Sequence, residues 1–171
     1  MKTLRTIAAV ALAAAAGGCG FHPLYGSGPT SGAMGRTLAS IYVEPVGDLD
    51  VANTGYDLRN SMIQSLDANN GPAEYHLHLT LAIATQGIAL EDNASITRYN
   101  DTLTVNYTLT DEATGKVAKQ GVQTGLAAYD VVSSPYATMI AQQDADRRAA
   151  QDIADRIRID LAVYFDQHGA R

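Results

Sequence analysis

The run Tyr75-His76-Leu77-His78-Leu79-Thr80-Leu81-Ala82-Ile83 decides the fold. Its large apolar side chains take every second place, Tyr75, Leu77, Leu79, Leu81 and Ile83, while His76, His78 and Thr80 fall between them. A strand turns successive side chains to opposite faces, so this spacing predicts a strand with one side in a core and the other in water. The same period returns over 97–110, where Tyr99, Leu103, Val105, Tyr107 and Leu109 alternate with Arg98, Asn100, Thr102, Thr104, Asn106 and Thr108. Threonine and tyrosine suit such a pleated, half-solvated surface. Residues 111–115 (DEATG) then make a hairpin turn into a further strand over 116–131, in which Gly121 and Gly125 are expected to mark bulges or bends. These three strands predict an antiparallel meander.

Outward from the meander the pattern changes. Ahead of it, residues 40–46 (SIYVEPV) read as a short first strand ending near Pro45, because proline cannot donate to a ladder. Between the two lies a helical repeat of Leu58, Met62, Ile63 and Leu66, opened by Asn53 or Thr54 as cap and closed by Asn69-Asn70-Gly71. Behind the meander, Ser134 and Pro135 form the N-cap and first-turn proline of a helix that runs to about Phe165. Ile153, Ile157, Leu161 and Tyr164 make its apolar stripe, padded by Ala149, Ala150 and Ala154. Asp144 with Arg148 and Asp152 with Arg156 stand four apart on the solvated face, each pair contributing ~0.2–0.5 kcal/mol. The order β-α-β-β-β-α, with one apolar face per strand, predicts an α+β two-layer sandwich: a four-stranded sheet with both helices on one face and the other face polar.

Composition narrows the function. The chain has 171 residues, no Trp and 2 Phe, so one core must be built from Leu, Ile, Val and Tyr. Its formal charge is −6. Without Lys2 and Arg5, which the next paragraph assigns to a removed segment, 10 basic residues face 18 acidic ones, or −8. Nucleic-acid binding needs a clustered basic face, and this balance excludes it. A single cysteine excludes an intrachain disulfide.

That cysteine follows an export signal. Lys2 and Arg5 are a basic start, residues 7–16 an apolar run, and Ala16-Gly17-Gly18 a small-residue cleavage site directly before Cys19. The run is too short for a transmembrane span of roughly 20 residues. This ending resembles a bacterial lipobox, with Ala16 where leucine is commonest. The resemblance implies a signal peptide over 1–18, removed on export, and fatty acylation of Cys19 on both its thiol and its new amine. Each buried methylene contributes ~0.8 kcal/mol, so several chains would hold the protein on a membrane. Gly20, where a sorting rule for inner-membrane retention uses aspartate, points to the outer membrane. Residues 26–35 (GSGPTSGAMG) are poor in groups to bury and predict a flexible tether over 19–39, leading into one domain over 40–168.

No catalytic constellation is legible. His76 and His78 share a strand face, but no third ligand stands near them in sequence, and they read as polar positions of the open face. No nucleophile elbow and no phosphate loop is present, so neither an enzyme nor a cofactor is expected. Arg98 stands out as the only Lys or Arg between Arg59 and Lys116. It reads either as a solvated or ion-paired side chain at a strand end, or as a planar fork gripping a phosphate or carboxylate.

Three signatures then coincide: Cys19-Gly20-Phe21-His22-Pro23-Leu24-Tyr25-Gly26, Ser95-Ile96-Thr97-Arg98-Tyr99, and Ser134-Pro135-Tyr136-Ala137 leading into Asp146-Arg147-Arg148-Ala149-Ala150. In joint order and spacing they resemble LptE, the lipopolysaccharide-assembly lipoproteins, in the alphaproteobacterial form. The resemblance covers essentially the whole mature chain and implies the same two-helix, four-strand fold. It further implies a non-enzymatic plug in the lumen of the outer-membrane barrel LptD, assisting insertion of lipopolysaccharide into the outer leaflet, with Arg98 as a lipopolysaccharide contact. A basic cluster that some relatives carry ahead of the last helix is not matched by Ala141-Gln142-Gln143-Asp144. The competing reading is a periplasm-facing outer-membrane lipoprotein that binds another envelope ligand through its polar sheet face.

Overall fold

A computed structural model describes residues 29–47, 51–68, 72–90 and 96–169. The elements run α1 (Pro29–Ala39), β1 (Ile41–Val43), α2 (Ala52–Leu66), β2 (Tyr75–Leu90), β3 (Ile96–Asp111), β4 (Val117–Asp130) and α3 (Pro135–His168). One sheet holds the strands in the order β1-β2-β3-β4. β1 lies parallel to β2, with Ile41 beside Tyr75 and Val43 beside Leu77. β2, β3 and β4 follow antiparallel, with Leu77 opposite Leu109 and Tyr107 opposite Gly121. The predicted α+β fold with its meander is therefore what the chain adopts.

The alternation of the two long strands separates core from solvent. Leu77, Leu79, Leu103, Val105, Tyr107 and Leu109 are each at most 1 % exposed and meet Leu58 and Met62 of α2 and Ile153, Ile157 and Leu161 of α3. Burying a side chain of this size contributes ~1.5–3 kcal/mol, so this one cluster dominates stability. α3 lies across β4 and β3, and its far end brings Phe165 edge-on to Tyr75 at the start of β2, 5.1 Å between ring centroids. α2 packs beside α3 and over β1. The upper part of β2 thus escapes the helix layer: Ala84, Thr85, Gln86, Gly87 and Ile88 are all exposed. Among the described residues no strand borders β2 beyond Leu77 on the β1 side.

Several boundaries differ from the sequence reading, each for a local reason. Part of the expected tether is helical, since α1 spans Pro29–Ala39. Thr37 and Leu38 of α1 are buried, and Ser40 closes it by donating from N and Oγ to the Thr37 carbonyl. β1 is shorter than 40–46 because the ladder ends once Glu44 N has bonded Leu77 O (3.0 Å) and Pro45 offers no donor. α2 starts at Ala52 without a side-chain cap. It ends when Asp67 turns left-handed (φ 52°) and the N–H groups of Asp67 and Ala68 return to the carbonyls of Gln64 and Ile63, a common double closure. Asn69, Asn70 and Gly71 lie outside the described residues. Ser134 does cap α3, its Oγ accepting from Ala137 N at 3.4 Å. Phe165 (2 % exposed) replaces Tyr164 as the last large residue of the buried stripe.

Gly121 and Gly125 mark no bulge. The β3–β4 register runs unbroken past both, and its one irregularity falls between Leu109 and Thr110. Their role is close approach: a Cβ at Gly121 would stand 2.5 Å from Tyr107 Oη, and one at Gly125 would stand 2.9 Å from Ile153 Cδ1 and 3.3 Å from the Ala149 carbonyl of α3. The first lets a tyrosine ring lie over the strand, and the second lets a helix press onto it.

Candidate functional site

The open sheet face carries the residues that sequence reading singled out. Arg98 sits near the start of β3, between Ala89 of β2 and Asp130 of β4 in the ladder. Its Nη1 is 3.5 Å from Asp130 Oδ1, with the two side chains 48 % and 67 % exposed. An exposed pair of this kind contributes ~0–1 kcal/mol, so Asp130 holds the guanidinium only weakly. Asn100, Thr102, Thr104, Asn106 and Thr108 continue the outward row, a strip of neutral hydrogen-bonding groups without a further cation.

His76 and His78 lie on the same face, toward the opposite end of the strands. Glu44, just beyond β1, reaches both rings: its Oε2 is 2.8 Å from His78 Nδ1 and its Oε1 is 3.7 Å from His76 Nδ1. Glu112 meets His76 Nε2 at 3.0 Å, and Tyr42 packs on the His76 ring at 5.4 Å. Carboxylate partners invisible in the linear sequence therefore surround these histidines, because parallel pairing of β1 carries Glu44 alongside them. Among the described residues, no group of three or more His, Cys, Asp and Glu side chains is arranged to hold a metal ion.

Two polar arrangements inside the sandwich escaped the sequence reading. Tyr107 Oη donates to Asp160 Oδ2 of α3 at 2.7 Å, and Gln123 Nε2 donates to the same oxygen at 3.2 Å. Burial first, then the bond to Asp160 and its charge, push the Tyr107 hydroxyl well above the usual tyrosine range. Farther up β3, Asp101 occupies the inward phase between Tyr99 and Leu103 and is 0 % exposed. Asp146 of α3 (7 % exposed) faces it, and Gln142 Nε2 donates to Asp101 Oδ2 at 3.0 Å. Burial, followed by the charge of Asp101 and a hydrogen bond to it, pushes the Asp146 carboxyl up to about 6. The signal for Asp101 was its parity: it stands at an odd position of a strand whose neighbouring odd positions are apolar. Asp146 sits four residues before Ala150 and seven before Ile153, on the buried side of α3.

On the solvated side of α3, Asp144 pairs with both Arg147 and Arg148. Arg156, expected to pair with Asp152, instead donates to the Thr124 carbonyl of β4 at 2.9 Å. Among the described residues no helix is long and apolar enough to cross a membrane. Cys19 and the lipobox around it lie outside the described residues.

Comparison with known proteins agrees with this architecture. The LptE family, described as lipopolysaccharide-assembly, matches residues 38–161. A lipoprotein of Caulobacter crescentus CB15 of known crystal structure is 29% identical, with a TM-score of 0.65 over 79% of this chain and 97% of that one. The rare lipoprotein B of Shewanella oneidensis shares the fold at 15% identity and a TM-score of 0.56, covering 74% of this chain and 95% of that one. A Rickettsia prowazekii protein of uncharacterised function is 25% identical over 130 residues, 76% of this chain and 80% of its own length. With the family match running from the buried end of α1 to Leu161 of α3, and with the sheet order and helix placement described above, this chain belongs to the LptE family of lipopolysaccharide-assembly proteins.

Proposed function

We propose that the chain is an outer-membrane lipoprotein that works without catalysis as the plug and assembly partner of the barrel LptD, and that it helps lipopolysaccharide into the outer leaflet. The family match over residues 38–161 carries this reading. The physical character of the domain supports it: a sheet face lined mainly with threonine, asparagine and histidine, with Val122 and Leu126 of β4 exposed among them, suits a water-filled lumen better than lipid. In this proposal Cys19 is the acylated anchor, residues 1–18 are removed, and residues 40–168 form the working domain. Arg98 is the lipopolysaccharide contact, and its weak pairing with Asp130 leaves its fork available for a phosphate.

Affinity capture of the full-length chain from detergent-solubilised outer membranes should recover the barrel in a one-to-one complex. Depletion of the chain should lower surface lipopolysaccharide. Capture without the barrel, together with unchanged surface lipopolysaccharide, would replace this proposal with a lipoprotein that binds another envelope ligand through the same polar face.

A further inference from the structure

The first half of α3 is joined to the sheet by polar groups and alanines, with no stripe of large apolar side chains. Tyr136, Met139 and Ile140 on its opening turns are exposed, and its first buried residues are Ala145 and Asp146. Below it Asp101 holds a position that the strand otherwise gives to apolar residues. Gln142 supplies one donor to Asp101 Oδ2. The Oδ1 atoms of Asp101 and Asp146 are both buried without a partner. Two carboxyl groups can share a hydrogen bond only when one of them carries the proton, and with both ionised in a low-dielectric site they repel.

Among the described residues no cation is ion-paired with either carboxyl. The other titratable group facing the pair is Tyr129 of β4, which stacks on Tyr99 of β3 at 5.7 Å between ring centroids. The nearby Arg147 and Arg148 are exposed and bound to Asp144 on the solvent side. Burial and the charges of Asp101 and Asp146 raise the Tyr129 hydroxyl above its ordinary value, so it too stays protonated. The second half of α3 is held differently, by Ile153, Ile157, Leu161 and Phe165 and by the bond from Tyr107 to Asp160.

We propose that Asp101 and Asp146 form a proton-operated latch: one proton taken up by the pair fastens the N-terminal half of α3 to the sheet, and its loss loosens that half while the rest of the helix stays packed. The value of about 6 for Asp146 places the transition in mildly acidic to neutral water. What the latch governs is the position of Tyr136, Met139 and Ile140, exposed apolar side chains carried on the same half-helix.

Amide hydrogen exchange of the full chain, corrected for the intrinsic pH dependence of exchange, tests this directly. Protection of amides 142–149 should fall by up to about 10-fold between pH 5 and pH 8, the most that a carboxyl raised from 3.8 to about 6 allows over that interval, while amides 153–165 keep theirs. In Asp146→Asn the carboxamide donates to Asp101 at every pH, so protection of 142–149 should be flat. Carbon NMR of the wild-type carboxyl groups gives an answer independent of any variant: one member of the pair should titrate near pH 6. Wild-type protection that does not change with pH, a pH-dependent loss that persists in Asp146→Asn, or two carboxyl groups titrating in the ordinary range below pH 5 would each overturn the latch.

Discussion

Replacing Gly121 by alanine puts the packing argument to its hardest test. The new Cβ would stand 2.5 Å from Oη, 2.6 Å from Cζ and 2.7 Å from Cε1 of Tyr107, all below any contact that real Cβ atoms make. The ring has nowhere to go. It is 1 % exposed, and its hydroxyl is already bonded to Asp160 at 2.7 Å, so moving away from β4 means pushing into α3. Overpacking of this kind costs ~1–3 kcal/mol. Losing a hydrogen bond to a charged group adds ~1.5–3 kcal/mol. The sum is roughly 2.5–6 kcal/mol, which for a domain of this size lowers the melting temperature by about 8–24 °C. Thermal and urea unfolding of the purified chain would measure it. A second background separates steric from backbone causes. In Tyr107→Phe the ring carbons remain at 2.6 and 2.7 Å, so Gly121→Ala should cost nearly as much in overpacking; in Tyr107→Leu it should cost much less. A Gly121→Ala protein within about 0.5 kcal/mol of its parent, or an equal loss in the Tyr107→Leu background, would refute the reasoning.

Three further expectations follow from particular side chains. The Asp146 carboxyl is raised from 3.8 to about 6 in the folded state, so the folded protein binds that proton more tightly than the unfolded chain. Stability from this group is therefore full below pH 3.8 and is lost as the pH rises through about 6; linkage sets the loss at roughly 3 kcal/mol at most. Asp146→Asn should accordingly stabilise the protein at pH 8 and leave it unchanged at pH 4, as read by urea midpoints at the two pH values. Arg98→Glu should weaken lipopolysaccharide binding about 10-fold or more by surface plasmon resonance, consistent with loss of a charge-assisted bidentate contact, while melting within about 2 °C of wild type, since the exposed Asp130 pair contributes little. Cys19→Ala should yield a chain without acyl groups by mass spectrometry that separates from membranes on washing.

Period-two alternation over 75–83 and 97–110 was enough to place the long strands, their inward faces and, with Ser134-Pro135, the last helix. What sequence left hidden depends on contacts between distant segments. Glu44 joins His76 and His78 only because β1 pairs parallel to β2. Gly121 and Gly125 look like breakers within a strand, and only the neighbouring strand and the overlying helix reveal that they make room for a ring and for a helix backbone. Asp101 could have been noticed by parity, yet a polar residue on an inward face is interpretable only once Asp146 and Gln142 are known to meet it. α1 was missed because glycine and serine are poor helix formers, and burial of Thr37 and Leu38 at its end overrides that weak local preference. Arg98 was legible as a candidate from its isolation in the charge pattern, and the ladder adds Asp130 as its neighbour.

The bare upper reach of β2 has a practical consequence. From Leu79 to Leu90 the sequence LTLAIATQGIAL carries no charge and no proline, and its outer backbone groups have no neighbouring strand among the described residues. Borders of this type invite copies of a protein to zip together, a hazard that other sheets blunt with lysine or proline. A preparation of the isolated domain will thus have its shelf life set by this single margin more than by its core. Lysine at the exposed Ala82 or Ala84 is the substitution that would lengthen it without touching the packed interior.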